Sequence, residues 1–172
     1  MVNEEEYKLP FLNNGVAQIG LLVKDLDKTV ESYWKIFGIG PWHFYTYKRP
    51  MVKQMSYHGK TASYEMRIAL SYFGPSRIEL IEPLEGDSIY NDFIKKHGYG
   101  VQHLGLLVDD MQEAISLIEK AGYTITQDGS GFGLMGDGHY AYFDTEDEFG
   151  VAFELIERPK DRLKPEKIYP PE

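Results

Sequence analysis

From Gln18 to Val23 the chain reads QIGLLV, with Ile19, Leu21 and Val23 at every second position, the period of a strand that buries one face. The period then changes. Leu26, Val30, Tyr33, Trp34 and Phe37 recur at helical spacing behind Asp25 or Asp27 as N-cap, and Gly38 marks the stop. The same sequence of signals returns later in the chain. An apolar strand from Leu104 to Val108 leads into a helix that starts at Asp109 or Asp110, carries Met111, Ala114, Ile115 and Ile118 on one face, and ends at Gly122. A short helix from Ser88 to His97, with Ile89, Phe93 and Ile94 on one side and Gly98 behind it, bridges the two stretches. Further strands are predicted over Trp42–Tyr47, Ser63–Phe73, Arg77–Ile81, Thr124–Thr126, His139–Asp144 and Val151–Ile156, several joined by turn residues such as Gly74 and Pro75. The tail RPKDRLKPEKIYPPE has little to bury and reads as a loose arm available to lie on a partner subunit.

The pattern is a duplication. "QIGLLVKDLDKTVESYWKIFG" from Gln18 aligns with "HLGLLVDDMQEAISLIEKAG" from His103, and "IELIEP" from Ile78 aligns with "FELIERP" from Phe153. Each half therefore reads strand, helix, then three strands, and the fold class expected is α+β. The chain divides into an N-terminal extension (1–14), a first module with its bridging helix (15–98), a second module (99–157) and a C-terminal arm (158–172).

Strand parity sorts the polar residues of the repeat. Ile19, Leu21 and Val23 share one face, as do Leu104, Leu106 and Val108, which leaves Gln18 and His103 on the other. In the closing strands Ile78 and Leu80, or Phe153 and Leu155, share one face, which leaves Glu79 and Glu154 opposite. If the halves pack as pseudo-symmetric sheets, an amide, an imidazole and two carboxylates converge on one concave surface. Two carboxylates in a shared low-dielectric cavity repel unless a cation lies between them. Gln18, Glu79, His103 and Glu154 are accordingly the candidate ligands of one divalent ion, with the Gln18 carbonyl oxygen as its donor. Three oxygens and one nitrogen suit Co, Mn, Zn, Ni or Mg.

Composition narrows the chemistry further. The chain has no cysteine, which excludes disulfides and thiolate metal sites. The net charge of −9 and the dispersal of the 18 basic residues argue against a nucleic-acid partner. No run approaches the roughly 18 apolar residues of a spanning helix, and the acidic opening MVNEEEYKLP is unlike a signal peptide, so a cytoplasmic protein without a membrane partner is expected. "GFGLMG" at 131–136 matches a dinucleotide fingerprint in form, but a strand rather than a helix follows it, and a loop over the cup is the better reading. His43, His58, His97 and His139 lack ligand spacing and are expected to be structural.

"QIGLLVKDLDKTVESYWKIFGIG", "RIELIEPLEGDS", "GVQHLGLLVDD" and "GVAFELIE" together resemble the vicinal-oxygen-chelate superfamily (glyoxalase, bleomycin resistance protein, dioxygenase), over roughly residues 15 to 157. The resemblance implies two βαβββ modules joined in an incomplete barrel around a metal. Within the superfamily the segments are most similar to methylmalonyl-CoA epimerase-like and glyoxalase-like members. Gln18 departs from the histidine usual at the first ligand position of epimerases, and the set Gln, Glu, His, Glu is similar to that of eukaryotic-type glyoxalase I.

The activity this implies is that of a metal-dependent epimerase or racemase, moving a proton at the carbon beside a carbonyl through a stabilised enolate. Glu154 is the leading base by resemblance, with Glu79 as its counterpart. A second, non-ligand base has three candidates, His58, Lys60 and Glu65; Glu65 faces the cup only if the loop at Gly74–Pro75 has odd length, in which case Met66, Ile68 and Leu70 pack under the helix. The substrate is a small carbonyl compound. A 2-substituted acyl-CoA would call for clustered basic groups, whereas Lys53, Lys60 and Arg67 are scattered; Trp42, Phe44, Tyr140 and Tyr142 suit an aromatic α-chiral ketone, as in dihydrodaidzein racemase-like members. A homodimer is expected from the family. The alternatives are a glyoxalase-type lyase, a ring-cleaving dioxygenase, for which one His with two carboxylates is the wrong ratio, and a non-catalytic binding protein.

Overall fold

The computed structural model describes residues 9–171, so most of the expected N-terminal extension lies outside the described residues. Eleven strands form one curled sheet: β1 (Gln18–Leu22), β2 (Trp42–Tyr47), β3 (Gln54–Tyr57), β4 (Lys60–Thr61), β5 (Met66–Phe73), β6 (Ser76–Pro83), β7 (Gly100–Leu107), β8 (Ile125–Phe132), β9 (Gly138–Phe143), β10 (Ala152–Glu157) and β11 (Lys167–Tyr169). The helices are α1 (Leu26–Phe37), α2 (Ile89–His97), α3 (Met111–Lys120) and the single turn α4 (Glu146–Phe149). A 3-10 turn at Pro10–Asn14 precedes them. Strand order is β11-β2-β5-β6-β1-β7-β10-β9-β8-β3-β4. Its centre, β2-β5-β6-β1 followed by β7-β10-β9-β8, is a mirror-ordered pair of four-stranded units. The duplicated sequence thus gives a pseudo-symmetric half-barrel.

Local chemistry repeats with the topology. Asp25 caps α1 by accepting from the Lys28 amide at 3.0 Å, and Asp110 caps α3 by accepting from Glu113 at 3.0 Å. Gly38 closes α1 in the left-handed region, φ 67°, where a side chain would be strained. Each helix covers the outer face of its own unit. Leu26 and Val30 pack with Trp42, Phe44, Ala69, Ile78 and Leu80, whereas Met111, Ala114 and Ile118 pack with Leu106, Ala141, Phe143 and Leu155. The inner face carries a third cluster, which includes Leu22, Tyr64, Met66, Ile68, Tyr90, Tyr140 and Tyr142. This cluster spans both units and forms the floor of the cup.

Two elements were not legible as strands. The β3–β4 hairpin turns at His58 and Gly59, both with positive φ (47° and 74°), a two-residue geometry suited to tight hairpins. β3 then crosses to pair with β8 of the second unit (Gln54↔Ser130 to Tyr57↔Gln127) and ties the far edge of the cup. The C-terminal arm is the larger correction, because it is not loose. Its β11 adds to β2 of its own chain, and Glu166 accepts from both the Thr46 amide (2.8 Å) and hydroxyl (2.9 Å). Gly133, at φ 90°, lets Pro159 approach so closely that a Cβ there would sit 2.4 Å from the proline Cβ. The 133–136 loop that follows β8 therefore meets the arm at the mouth of the cup.

Asp27 joins α1, β5 and the arm, accepting from Lys167 at 2.6 Å and Arg67 at 2.9 Å. The Lys167 hydrogen bond, opposed by partial burial and aided by Arg67, holds its carboxyl below the usual range. A depressed folded-state pKa stabilises above the unfolded value of about 4 and is lost in acid as pH falls through the folded value. The pairs are partly exposed, so each contributes less than about 1 kcal/mol globally. Asp27→Asn is expected to speed amide exchange at residues 166–169 while barely changing the melting temperature; unchanged exchange there would show that the Asp27 pairs do not hold the strand.

Candidate metal centre

β1 and β7 run antiparallel, with Gln18 opposite Gly105 and Gly20 opposite His103. Opposed residues point to the same face, so each polar side chain lies over the partner strand's glycine. A Cβ on Gly20 would sit 1.8 Å from His103 Cε1, and one on Gly105 would sit 2.9 Å from Gln18 Cβ and 3.0 Å from Glu154 Oε2. This explains why both copies read polar-x-Gly. β6 lies parallel to β1 and β10 parallel to β7, and they bring Glu79 and Glu154 in from either side.

The four side chains expected to converge do converge, all buried. The His103 Nε2 atom is 3.4 Å from Glu79 Oε2 and 3.2 Å from Glu154 Oε2. One ligand atom from each of Glu79, His103 and Glu154 lies within 4.8 Å of the others. Two carboxylates that close repel by roughly 3–4 kcal/mol even at an effective dielectric near 20. Without a cation the conflict is partly met by protonation: burial opposes charge on His103, but Glu154 and Glu79 outweigh it and raise its pKa to about 9. Burial pushes the Glu154 carboxyl up, against the pull of His103. Gln102 Oε1 accepts from His103 Nδ1 at 2.7 Å, which leaves Nε2 to face the carboxylates, the arrangement a metal-binding imidazole needs. Glu79, His103 and Glu154 thus fit a divalent ion.

Gln18 behaves differently from expectation. Its Nε2 donates to Glu79 Oε2 at 2.9 Å and to Glu154 Oε2 at 3.1 Å. Its Oε1 instead faces Arg77, accepting from Nε at 2.8 Å and also from Nη2. A guanidinium has only donors, so Arg77 dictates the amide orientation. The carbonyl expected to be a donor to the ion is turned away from it. Gln18 reaches the cluster as a hydrogen-bond donor that holds the two carboxylates together.

Tyr140 and Tyr142 line the cup, because Tyr142 lies opposite Glu154 and Tyr140 opposite Ile156. Trp42 does not. β2 pairs His43 with Leu70 and β5 pairs Leu70 with Glu79, so His43, Tyr45 and Tyr47 share the cup face and Trp42 and Phe44 lie beneath α1. Trp42 is a core residue, donating from Nε1 to Ile39 O at 2.6 Å. The second-base candidates also fall elsewhere. The β5–β6 loop holds only Gly74 and Pro75 between paired Phe73 and Ser76, an even length that turns Met66, Ile68 and Leu70 inward. Glu65 instead approaches Lys48, His58 contacts Asp92 on the surface, and Lys60 is exposed. Sequence reasoning missed Arg77, although it shares Glu79's parity in "RIELIE". It also missed Tyr47, Phe132 and Arg162, which complete the lining.

Residues 17–143 match the family described as Glyoxalase/Bleomycin resistance protein/Dioxygenase superfamily. A search of curated protein sequences gave no significant match. Among solved structures, methylmalonyl-CoA epimerase from Mycobacterium tuberculosis is similar at 23% identity and TM-score 0.62, covering 85% of this chain and 89% of its own. A variant of the Streptomyces coelicolor methylmalonyl-CoA epimerase, in complex with 2-nitronate-propionyl-CoA, aligns at 24% identity and TM-score 0.64, over 86% of this chain and 96% of its own. The hypothetical protein BH1468 from Bacillus halodurans aligns at 22% identity and TM-score 0.59, over 87% and 97%. At these identities the likeness establishes the half-barrel fold. Among the described residues no helix is long and apolar enough to cross a membrane.

Gly20→Ala is expected to displace the His103 ring, weakening divalent-ion binding at least tenfold and costing about 1–3 kcal/mol of stability by overpacking. Ion titration and urea unfolding measure the two effects. Wild-type ion affinity in this variant would contradict the geometry.

Proposed function

Because the chain belongs to the glyoxalase/bleomycin resistance protein/dioxygenase superfamily, we propose that it is a divalent-metal-dependent epimerase or racemase acting at the carbon beside a carbonyl. The observation that carries this reading is the convergence of Glu79, His103 and Glu154 in a buried cup lined by Tyr47, Tyr140 and Tyr142. Epimerases among the structural neighbours make the same reading economical.

Held by Glu79, His103 and Glu154, the ion would supply a Lewis acid that polarises the substrate carbonyl and acidifies the adjacent C–H. Glu154, its basicity raised by burial, accepts the proton. Glu79 stands on the opposite strand pair, across the pseudo-symmetry axis, and is placed to return a proton to the other face. Gln18 positions both carboxylates through its amide N–H groups. The cavity over the cluster is about 30 Å3, and Pro159 and Arg162 of the arm are among the residues that line it. The aromatic character of the lining favours an apolar substituent on the substrate, whether the acyl portion of a 2-substituted thioester or an α-chiral aromatic ketone.

Incubation in deuterated water with a panel of 2-substituted acyl thioesters and α-chiral ketones tests the proposal. Solvent deuterium is expected at the carbon beside the carbonyl only when divalent ion is bound, with Glu154→Gln slowing exchange at least a hundredfold. The proposal fails if protein of verified metal content exchanges nothing in the panel, or if Glu154→Gln, still metal-loaded, exchanges at the wild-type rate.

A further inference from the structure

A second cavity, of about 220 Å3, adjoins the cup and is lined by His43, Tyr45 and Tyr72 on one side. Leu70, Arg77 and Arg162 line both spaces and form the partition between them. Arg77 is 6% exposed, and its Nε and Nη2 are spent on Gln18 Oε1. Its Nη1 makes no hydrogen bond among the described residues. Arg67 pairs with Asp27 and Glu82, whereas neither Arg77 nor Arg162 pairs with a carboxylate among the described residues. Glu79 and Glu154 reach Arg77 through the Gln18 amide, which bonds both carboxylates and the guanidinium, so the Arg77 fork keeps a donor for a further acceptor. Arg77 and Arg162 thus share a cavity wall, as the scattered Lys53, Lys60 and Arg67 do not.

We propose that Arg77 and Arg162 form a carboxylate-binding subsite beside the metal centre, which holds an acidic group on the same small molecule whose carbonyl reaches Glu79, His103 and Glu154. The identification of that molecule as substrate rests on the function proposed above; the binding of an anion does not. Guanidinium forks match carboxylates in a planar, two-point geometry. At about 220 Å3 the cavity suits the acidic end of a small molecule. Arg77 also bonds the Gln18 amide, so an acid seated on it is one side chain away from the reacting centre. This selects an acidic carbonyl compound over a neutral aromatic ketone.

Calorimetric titration of the full chain, stripped of metal, tests the subsite without requiring turnover. The probes are malonate, its neutral diamide malonamide, and inorganic phosphate. One malonate is expected to bind per chain, malonamide not at all, and phosphate more weakly. Arg162→Ala, at an exposed position where folding is not at risk, is expected to weaken malonate at least tenfold, and Arg162→Lys less. Absence of malonate binding, or equal affinity in wild type, Arg162→Ala and Arg77→Met, would overturn the proposal. Preference for phosphate over malonate would overturn the carboxylate assignment. Because no catalysis is measured, failure here leaves the deuterium-exchange result to judge the epimerase reading separately.

Discussion

The structure turns on the placement of two carboxylates, Glu79 and Glu154, in one buried space with His103 between them. Nothing in an apolar cup tolerates that placement by itself. It is made tolerable by the His103 imidazole, by the Gln18 amide, and by a site for a divalent cation. Much else in the fold can be understood as the means of bringing these groups together. The antiparallel crossing of β1 and β7 is the central device, since it seats Gln18 and His103 over Gly105 and Gly20. The parallel partners β6 and β10 then deliver one carboxylate each from the two sides.

Outside this centre the halves are not equivalent. Arg77, two residues before Glu79, orients the Gln18 amide, whereas Gln102 steadies His103 from its own strand. The first half therefore contributes a hydrogen-bond donor and a neighbouring cation, and the second a ligand with a fixed tautomer. The β3–β4 hairpin and the C-terminal strand break the symmetry again, one tying the far edge and the other laying Pro159 and Arg162 across the mouth. Duplication supplied a symmetric cup, and the later additions made it one-sided.

How much of this was legible follows from what the sequence repeats. Parity within β1, β6, β7 and β10 is local and duplicated, so Gln18, Glu79, His103 and Glu154 could be placed on one face before any coordinates. Trp42 could not, because its face depends on how β2 registers against β5, and the apolar composition of WHFYTY reads alike in either register. The fate of Glu65 hung on the two-residue loop at Gly74–Pro75, which decides whether Met66 or its neighbour turns inward. The tail was opaque for another reason: β11 is three residues long and is held by Glu166 and Lys167, polar contacts that leave no hydrophobic period. Arg162 therefore gave no signal, and the orientation of the Gln18 amide, set by a residue on another strand, gave none either.

The vicinal-oxygen-chelate superfamily, to which the chain belongs, builds diverse chemistry on this half-barrel, so the decisive question is whether the central cluster holds an ion. Titration of metal-free protein with Co2+, followed by visible absorption, answers it most directly. The account predicts one ion per chain, with bands shifted or lost when His103 becomes Gln and retained when Gln18 becomes Ala. No saturable binding, or binding indifferent to His103 and Glu79 alike, would contradict it.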